Sequence, residues 1–286
     1  MTVSHWQTDV PRPTEDVDVL VVGAGLIGCA AAFIAHDAGH DVTLVDARDL
    51  AHGASGRNAG FMISGLDSYY HRAVERYGEA VVREMWALSK ESIAFWRGIV
   101  EKAGDVPYEQ CGSLLLAESE AEAAELALAA KALDTAGFSA IYHDHDPLGR
   151  GYHAAIEQPD DGAVQPVALT RALLRLSQAR LVSSNPVYAI EQGQPDIVTV
   201  YAEKAIYKAR YVMLCTNAYS PFLDDYFVGR ILPTRAQCLV TEPLPERVMD
   251  HVGYSRYGYM YYRHTFDNRF LIGGAREQRC ARWTLV

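Results

Sequence analysis

Basic residues are in short supply in this sequence: 26 Lys and Arg stand against 36 Asp and Glu, a formal net charge of -10. No basic stripe is available to neutralise phosphates, so neither nucleic acid nor an anionic membrane surface is expected as a partner. Cysteine is sparse as well. The five present (Cys29, Cys111, Cys215, Cys238, Cys280) are scattered, odd in number and without Cys-x-x-Cys spacing. They read as reduced, small apolar packing residues in a reducing compartment. Long apolar runs are missing, so no segment is expected to span a bilayer. The first fourteen residues hold neither the apolar region nor the cleavage site of a signal peptide. A cytoplasmic location is expected, with Ser4-His5-Trp6 lying as an ordered arm on the body.

What is present is ordinary in amount and specific in order. Hydrophobic residues make up 49% and charged residues 22%, and 286 residues can bury a large core in two domains or one elaborate one. The stretch from Val17 to Asp46 reads as a buried strand, a Gly-x-Gly-x-x-Gly turn, an apolar helix, a second strand and a terminal acid. Gly23 allows the tight turn, Gly25 lets backbone approach a pyrophosphate, and Gly28 lets the helix pack closely on the sheet. The helix N-terminus offers free N–H groups to phosphate, and Asp46 lies where a carboxylate accepts from ribose hydroxyls. The bare glycine spacing is weak; the full βαβ context with its acid makes a dinucleotide site. At this point FAD and NAD both remain open.

Beyond Asp46 runs a Gly- and Ala-rich segment from His52 to Met62, of the kind that inside a compact domain is functional rather than filler. Residues 75–103 read as one long amphipathic helix closed by Gly104, and 111–117 as a buried strand. Ser119-x-x-Glu122 is a capping box opening a helix to Thr135, with Gly137 after it. A further helix is expected over 167–179 and strands over 185–191, 197–201 and 210–216. Residues 254–274 alternate aromatic and polar side chains, as antiparallel strands with a turn at Asp267-Asn268 do.

Gly53-Ala-Ser-Gly-Arg-Asn-Ala-Gly60 resembles the second flavin-contacting loop of the D-amino-acid-oxidase-like flavoprotein family, which includes glycine and sarcosine oxidases. The resemblance continues at Asp161-Gly-Ala-Val-Gln-Pro166, at Asn185-Pro-Val187 and from Tyr211 to Ser220. It reaches Tyr261-Tyr-Arg263 and the run from Arg269 to Glu277. The loop together with the N-terminal Ser-x-Trp is most similar to the γ-glutamylputrescine-oxidase-like branch.

The resemblance implies an α/β fold: a doubly wound parallel FAD/NAD(P)-binding sheet with a discontinuous α+β substrate domain built on an antiparallel sheet. Residues 15–66 and 151–222 are expected to form the FAD domain, and 67–150 and 223–279 the substrate domain. The implied cofactor contacts are Gly23, Ala24, Gly25, Leu26, Ile27 and Gly28 of the elbow, with Asp46, Ala47 and Arg48 after the second strand. They continue with Ala54, Ser55, Arg57, Asn58, Ala59 and Gly60 of the loop, then Val187, Thr216 and Asn217. Asn217 replaces the family's usual glycine, and Asn also tolerates a left-handed backbone. Arg57 stands where some members tether flavin through histidine, so FAD is expected to bind non-covalently.

The implied chemistry oxidises the C–N bond of an amine or amino acid by hydride transfer to flavin N5, the imine then being hydrolysed. Arg263 matches the position at which the family pairs an arginine with the substrate carboxylate. Tyr261 and Tyr259 share its strand face by period-2 alternation and would line the pocket. The plainer alternative is a Tyr-rich, half-buried sheet surface. No metal site is expected: His143-Asp144-His145-Asp146 reads as a solvated loop, Glu118–Glu125 as an exposed helix face, and Trp86 and Trp96 as core.

Family members continue well past Gly273-Gly274, whereas Cys280–Val286 does not resemble their continuation. An exposed strand edge and a solvent-open flavin site are expected to follow, in a truncated product or in a chain that a partner chain completes; a homo-oligomer is the other assembly expected. The alternatives are a truncated, non-catalytic FAD-binding remnant and an NAD-dependent dehydrogenase; for the latter the Gly53–Gly60 loop has no evident purpose.

Overall fold

A computed structural model describes residues 11–234 and 236–275; the expected arm Ser4-His5-Trp6, Cys280 and the final residues through Val286 lie outside them. Strand β1 (Thr14–Val22) leads through the glycine turn into helix α1 (Leu26–Asp37) and strand β2 (Val42–Val45). Then come β3 (Phe61–Met62), α2 (Tyr70–Tyr77), α3 (Glu79–Ala103), β4 (Tyr108–Glu109), β5 (Ser113–Ala117) and α4 (Glu120–Thr135). Strands β6 (Ile141–His143), β7 (Ala154–Gln158) and β8 (Gly162–Val164) precede helix α5 (Pro166–Ser177). Next are β9 (Arg180–Val182), β10 (Val187–Gln194), β11 (Ile197–Ala202) and β12 (Ile206–Leu214). The last strands are β13 (Cys238–Pro243), β14 (Val252–Ser255), β15 (Met260–His264) and β16 (Arg269–Gly274).

These elements form two units, each from two separate stretches. The first takes the described residues up to Arg57 together with Thr170–Pro233. The second takes Asn58–Leu169 and the described residues from Thr234 on. The boundaries differ from those expected at 66, 150 and 222. Strand β8 pairs with both β3 and β4, and β7 pairs with β5 and β6, so 58–66 and 151–169 belong to the second unit's ladders. Residues 223–233 stay with the first unit, where Leu223 and Asp224 donate to the Ser220 carbonyl.

The first unit is a six-stranded sheet in the order β10-β11-β12-β1-β2-β9. Strands β12, β1, β2 and β9 are parallel, while β10 and β11 run antiparallel at one edge. Val19–Val22 and all of β2 are buried, which is why these stretches are apolar apart from Thr43. The chain leaves β1 for β2 on one side and returns as β12 on the other. That reversal opens a crevice at the carboxyl ends of the strands.

The second unit is a seven-stranded sheet in the order β13-β16-β15-β14-β5-β7-β6, with a small sheet β3-β8-β4 beside it. Only β14 and β5 are parallel in the large sheet. The register puts Ile156, Leu115, Tyr254, Tyr261 and Gly273 in one row on one face. Helix α4 covers the β5–β7 end of that face, where Leu126 and Ala129 meet Ala117 and Ile156. The opposite face buries Leu114, Leu116 and Tyr262 against Met249, Leu148 and Tyr152.

Three local expectations are corrected. The long helix is broken at Gly78, whose φ of +83° ends α2 and starts α3. Trp86 is buried, but Trp96 is only half-buried. Ser119 caps α4 through the Glu122 N–H at 3.2 Å, yet Glu122 itself is 2% exposed rather than part of a solvated acidic face. Its carboxylate accepts from the Tyr69 hydroxyl at 3.1 Å, the Tyr257 N–H at 2.7 Å and the Glu118 N–H at 2.9 Å. No described helix is long and apolar enough to cross a membrane.

Candidate functional site

A cavity of about 430 Å³ opens at the carboxyl ends of β1, β2 and β12 in the first unit. Gly23, Gly25, Asp46, Ala47, Arg48, Ala54, Ser55, Val187, Thr216 and Asn217 line it. Each glycine of the elbow is there for a measurable reason. Gly23 has φ +109°, and a Cβ on it would lie 2.5 Å from the Cys215 carbonyl oxygen. A Cβ on Gly28 would lie 1.8 Å from the Gly23 carbonyl oxygen, so helix α1 cannot sit this close with any other residue. A Cβ on Gly25 would fall 2.8 Å from Ser55 Oγ, inside the mouth of the cavity.

The donors and acceptors around the elbow suit an adenine dinucleotide. Ser55 Oγ accepts from the Leu26 N–H at 2.8 Å, and the next N–H groups of that first turn have no carbonyl of their own helix to bond. They form an anion-binding end. Asp46 Oδ2 accepts from the Ala24 N–H at 2.7 Å and Oδ1 from the Arg48 N–H at 2.8 Å. Those bonds orient the carboxylate and leave acceptor capacity on both oxygens for hydroxyl groups. Asn217 adopts φ +47°, the left-handed conformation for which Asn stands in for glycine. The space is of the size that small-molecule sites use.

The other expected contacts are not among the residues that line the cavity. Ala24 and Gly28 are buried, and Leu26 and Ile27 belong to α1 without lining the cavity. Arg57 is exposed, and its Nη1 donates to the Gly53 carbonyl at 3.2 Å. Asn58 Oδ1 accepts from the Gly60 N–H at 2.8 Å, closing a turn. Ala59 and Gly60 give their carbonyls to Arg263. Residues not anticipated complete the cradle. Asn185 is fully buried and donates its N–H to the Asp46 carbonyl at 2.8 Å, which ties the start of β10 to the end of β2. Tyr219, under the Arg48 guanidinium at 5.6 Å, and Phe222 close the outer wall. Two thiols are close by, Cys215 in the lining and Cys29 buried in α1: burial pushes Cys29 up to about 12 and raises Cys215 as well, so both stay protonated.

A second cavity, of about 490 Å³, lies within the second unit. Its walls are aromatic: Tyr69, Tyr70, Trp86, Tyr254, Tyr257 and Tyr259, interleaved with Ser64, Ser113, Gln158, Asp67 and Arg72. Tyr259 is thus on a cavity wall. Tyr261 is not; its ring lies over Gly273, where a Cβ would come within 2.4 Å of Cζ, and meets Phe61 edge-on. Behind the wall Asp161, wholly buried, accepts from the Ser64 N–H at 2.9 Å, the Ser64 hydroxyl at 2.5 Å and the Ser113 hydroxyl at 2.6 Å. Burial raises its carboxyl pKa and those three donors oppose the rise. Burial likewise raises the Tyr69 and Tyr254 phenols.

Arg263 departs from its expected place. It is 3% exposed, does not line the cavity, and spends its donors on backbone. Nε donates to the His264 carbonyl at 2.7 Å, and Nη1 to those of Gly60 at 2.9 Å and of Ala59 and Val164 at 3.3 Å. The alternation that put Arg263 and Tyr261 on one face was sound, but the face is filled there by the Gly60 turn and β8. Of the acidic and imidazole residues set aside earlier, His143 Nε2 pairs with Glu157 at 2.9 Å, and no described cluster has the makings of a metal site.

Comparison with known proteins follows the same lines. Residues 18–284 match the family model described as FAD dependent oxidoreductase. The chain is 27% identical over 277 residues to gamma-glutamylputrescine oxidoreductase of Escherichia coli, covering 90% of this chain and 64% of that one. It is 26% identical over 281 residues to the probable oxidoreductase OrdL of Haemophilus influenzae, covering 91% of this chain and 65% of the relative. It therefore spans somewhat under two thirds of the length of these relatives. Among solved structures, glycine oxidase from Geobacillus kaustophilus superposes with a TM-score of 0.70 at 21% identity, covering 90% of this chain and 70% of that one. L-proline dehydrogenase from P. horikoshii gives 0.71 at 21% identity, covering 92% and 70%. The fold, the glycine elbow with its acid and the family match agree: the chain belongs to the FAD dependent oxidoreductase family.

Proposed function

We propose that this chain holds FAD non-covalently in the cradle of the first unit and serves an oxidoreductase that oxidises the C–N bond of an amine or amino acid. The observation that carries this reading is the convergence of Gly23, Gly25, Asp46, Ser55 and Asn217 on one cavity at the strand switch point. Asp46 would hold the adenosine ribose, and the first turn of α1 with Ser55 the pyrophosphate. Bound flavin would supply a two-electron acceptor for a hydride leaving the carbon of the C–N bond, the resulting imine being hydrolysed by water. The second unit contributes the substrate cavity, whose aromatic walls exclude water and whose hydroxyl oxygens orient the amine. Relatives named for a putrescine derivative, for glycine and for proline support an amine or amino-acid substrate. Family membership sets the NAD-dependent dehydrogenase aside.

The test is the visible spectrum of the purified chain. A bound-flavin band that bleaches anaerobically on adding an amine or amino acid is expected. A protein that stays colourless with added FAD would overturn the cofactor assignment. A band that never bleaches across an amine and amino-acid panel would leave a chain that holds FAD without turning over, alone or until a second chain completes it.

A further inference from the structure

The walls of the second unit's cavity are chemically one-sided. Ser64 and Ser113 each give their hydroxyl proton to Asp161, and Tyr69 gives its own to Glu122. A hydroxyl that has donated its proton to a carboxylate has only acceptor capacity left for anything else. Gln158 adds a buried Oε1 with no hydrogen-bond partner. All four residues line the cavity. Neither Asp161 nor Glu122 has a basic side chain among its hydrogen-bond partners, and Lys90, the cation that acts on Asp161 through space, is paired with Asp160 at 3.2 Å. In a poorly screened interior the field of Asp161 and Glu122 reaches the cavity. Asp67 stands exposed in the lining, and the one lining cation, Arg72, is engaged by Glu125 at 2.6 Å. The unbonded Trp86 Nε1 and Tyr70 hydroxyl are neutral and offer no charge to a carboxylate.

Resting on the oxidoreductase reading above, we propose that this cavity is cation-selective and seats an alkylammonium group between the Tyr69, Tyr254 and Tyr257 rings and the acceptor oxygens of Ser64, Ser113 and Gln158. The substrate class is then an amine that bears no carboxylate beside its charge, rather than an α-amino acid. Ammonium N–H groups find acceptors on one side and ring faces on the other, the arrangement by which aromatic cages hold organic cations. A carboxylate in the same place meets those acceptors and, apart from Arg72 already held by Glu125, only neutral donors such as Trp86 Nε1 and the Tyr70 hydroxyl. Arg263, the side chain that would have received it, is turned onto the carbonyls of Gly60 and Val164.

The experiment is equilibrium binding of butylammonium, butanol and butyrate to the purified chain at fixed ionic strength, followed by ligand-observed NMR. Butylammonium is expected to bind about tenfold or more tightly than butanol, and butyrate weakest, a preference of the size that charge-assisted bonds give. Asp161→Asn and Glu122→Gln are each expected to weaken butylammonium by about tenfold while leaving butanol unchanged, the latter reporting an intact cavity. Butyrate binding as tightly as butylammonium in the unaltered chain, or an ammonium preference that survives both substitutions, would overturn the proposal. Neither outcome requires turnover. A colourless chain that still prefers ammonium sinks the oxidoreductase reading alone, and an amine-bleached flavoprotein without the preference sinks the cation-selective cavity alone.

Discussion

Arg263 Nη1 donates to the Gly60 carbonyl at 2.9 Å, and Gly60 presents that carbonyl from a left-handed backbone with φ +69°. The turn is packed so closely that a Cβ on Gly60 would lie 2.3 Å from the Val164 carbonyl oxygen. Arginine and glycine here form one structural unit. Arg263→Met should therefore cost about 3 kcal/mol in urea unfolding, because buried carbonyls lose their donor. The ratio of KM for carboxylate-bearing and carboxylate-free substrates should not move. Unchanged stability with a selective loss of carboxylate binding would return Arg263 to the role its motif position suggests.

Gly25→Val should give a folded protein that retains no flavin. The added Cβ falls 2.8 Å from Ser55 Oγ, where helix α1 would meet phosphate, while φ at this position, -85°, is open to any residue. Circular dichroism should report the native fold and absorbance the missing colour. A yellow variant would show that the elbow does not approach the pyrophosphate.

Asp146 ties down the loop over the second sheet. Burial disfavours its charge, but the backbone N–H groups of Leu148, Gly151, Arg150 and Tyr152 outweigh that and hold the carboxyl below the usual range. A depressed folded pKa contributes stability that is complete above the unfolded value near 3.9 and is lost as pH falls through the folded one. Acid unfolding should thus steepen below about pH 4. Asp146→Asn should flatten that limb; an identical acid limb in the variant would remove Asp146 from it.

Thiol labelling should be uneven. Cys29 is buried in α1 and its pKa is raised to about 12, so its thiolate is scarce at pH 8, whereas Cys238 is exposed. Brief iodoacetamide treatment followed by peptide mass spectrometry should find Cys238 modified and Cys29 intact. Modification of Cys29 first would mean that the helix behind the elbow opens readily.

Legibility in the sequence followed the range of the forces involved. The elbow could be read because its strand, turn, helix and second strand follow one another directly and Gly28 answers to Gly23 five residues away, although Gly23 also abuts the distant Cys215. The left-handed Asn217 was legible because side-chain chemistry permits it locally. Ser119 was legible as a cap for the same reason. The break at Gly78 was not, since an amphipathic period runs through it unchanged. Burial of Glu122 depends on Tyr69 and Tyr257, which come from α2's approach and the β14–β15 turn, and no local pattern announces either. The fate of Arg263 depends on carbonyls about 100 and 200 residues away, and the unit boundaries on ladders formed by β7 and β8.

Strand β1 pairs along its length with β12, so Thr14 meets Ile206 and Val22 meets Leu214. During synthesis the amino-terminal segment must therefore wait, with its most apolar strand unclosed on that side, until some 190 further residues have left the ribosome. The intervening stretch has its own ladders and can order first, shortening the effective loop that remains to be closed. Nascent chains arrested before β12 should be sticky and protease-sensitive in their first thirty residues or so, a liability that chaperones would be expected to shield.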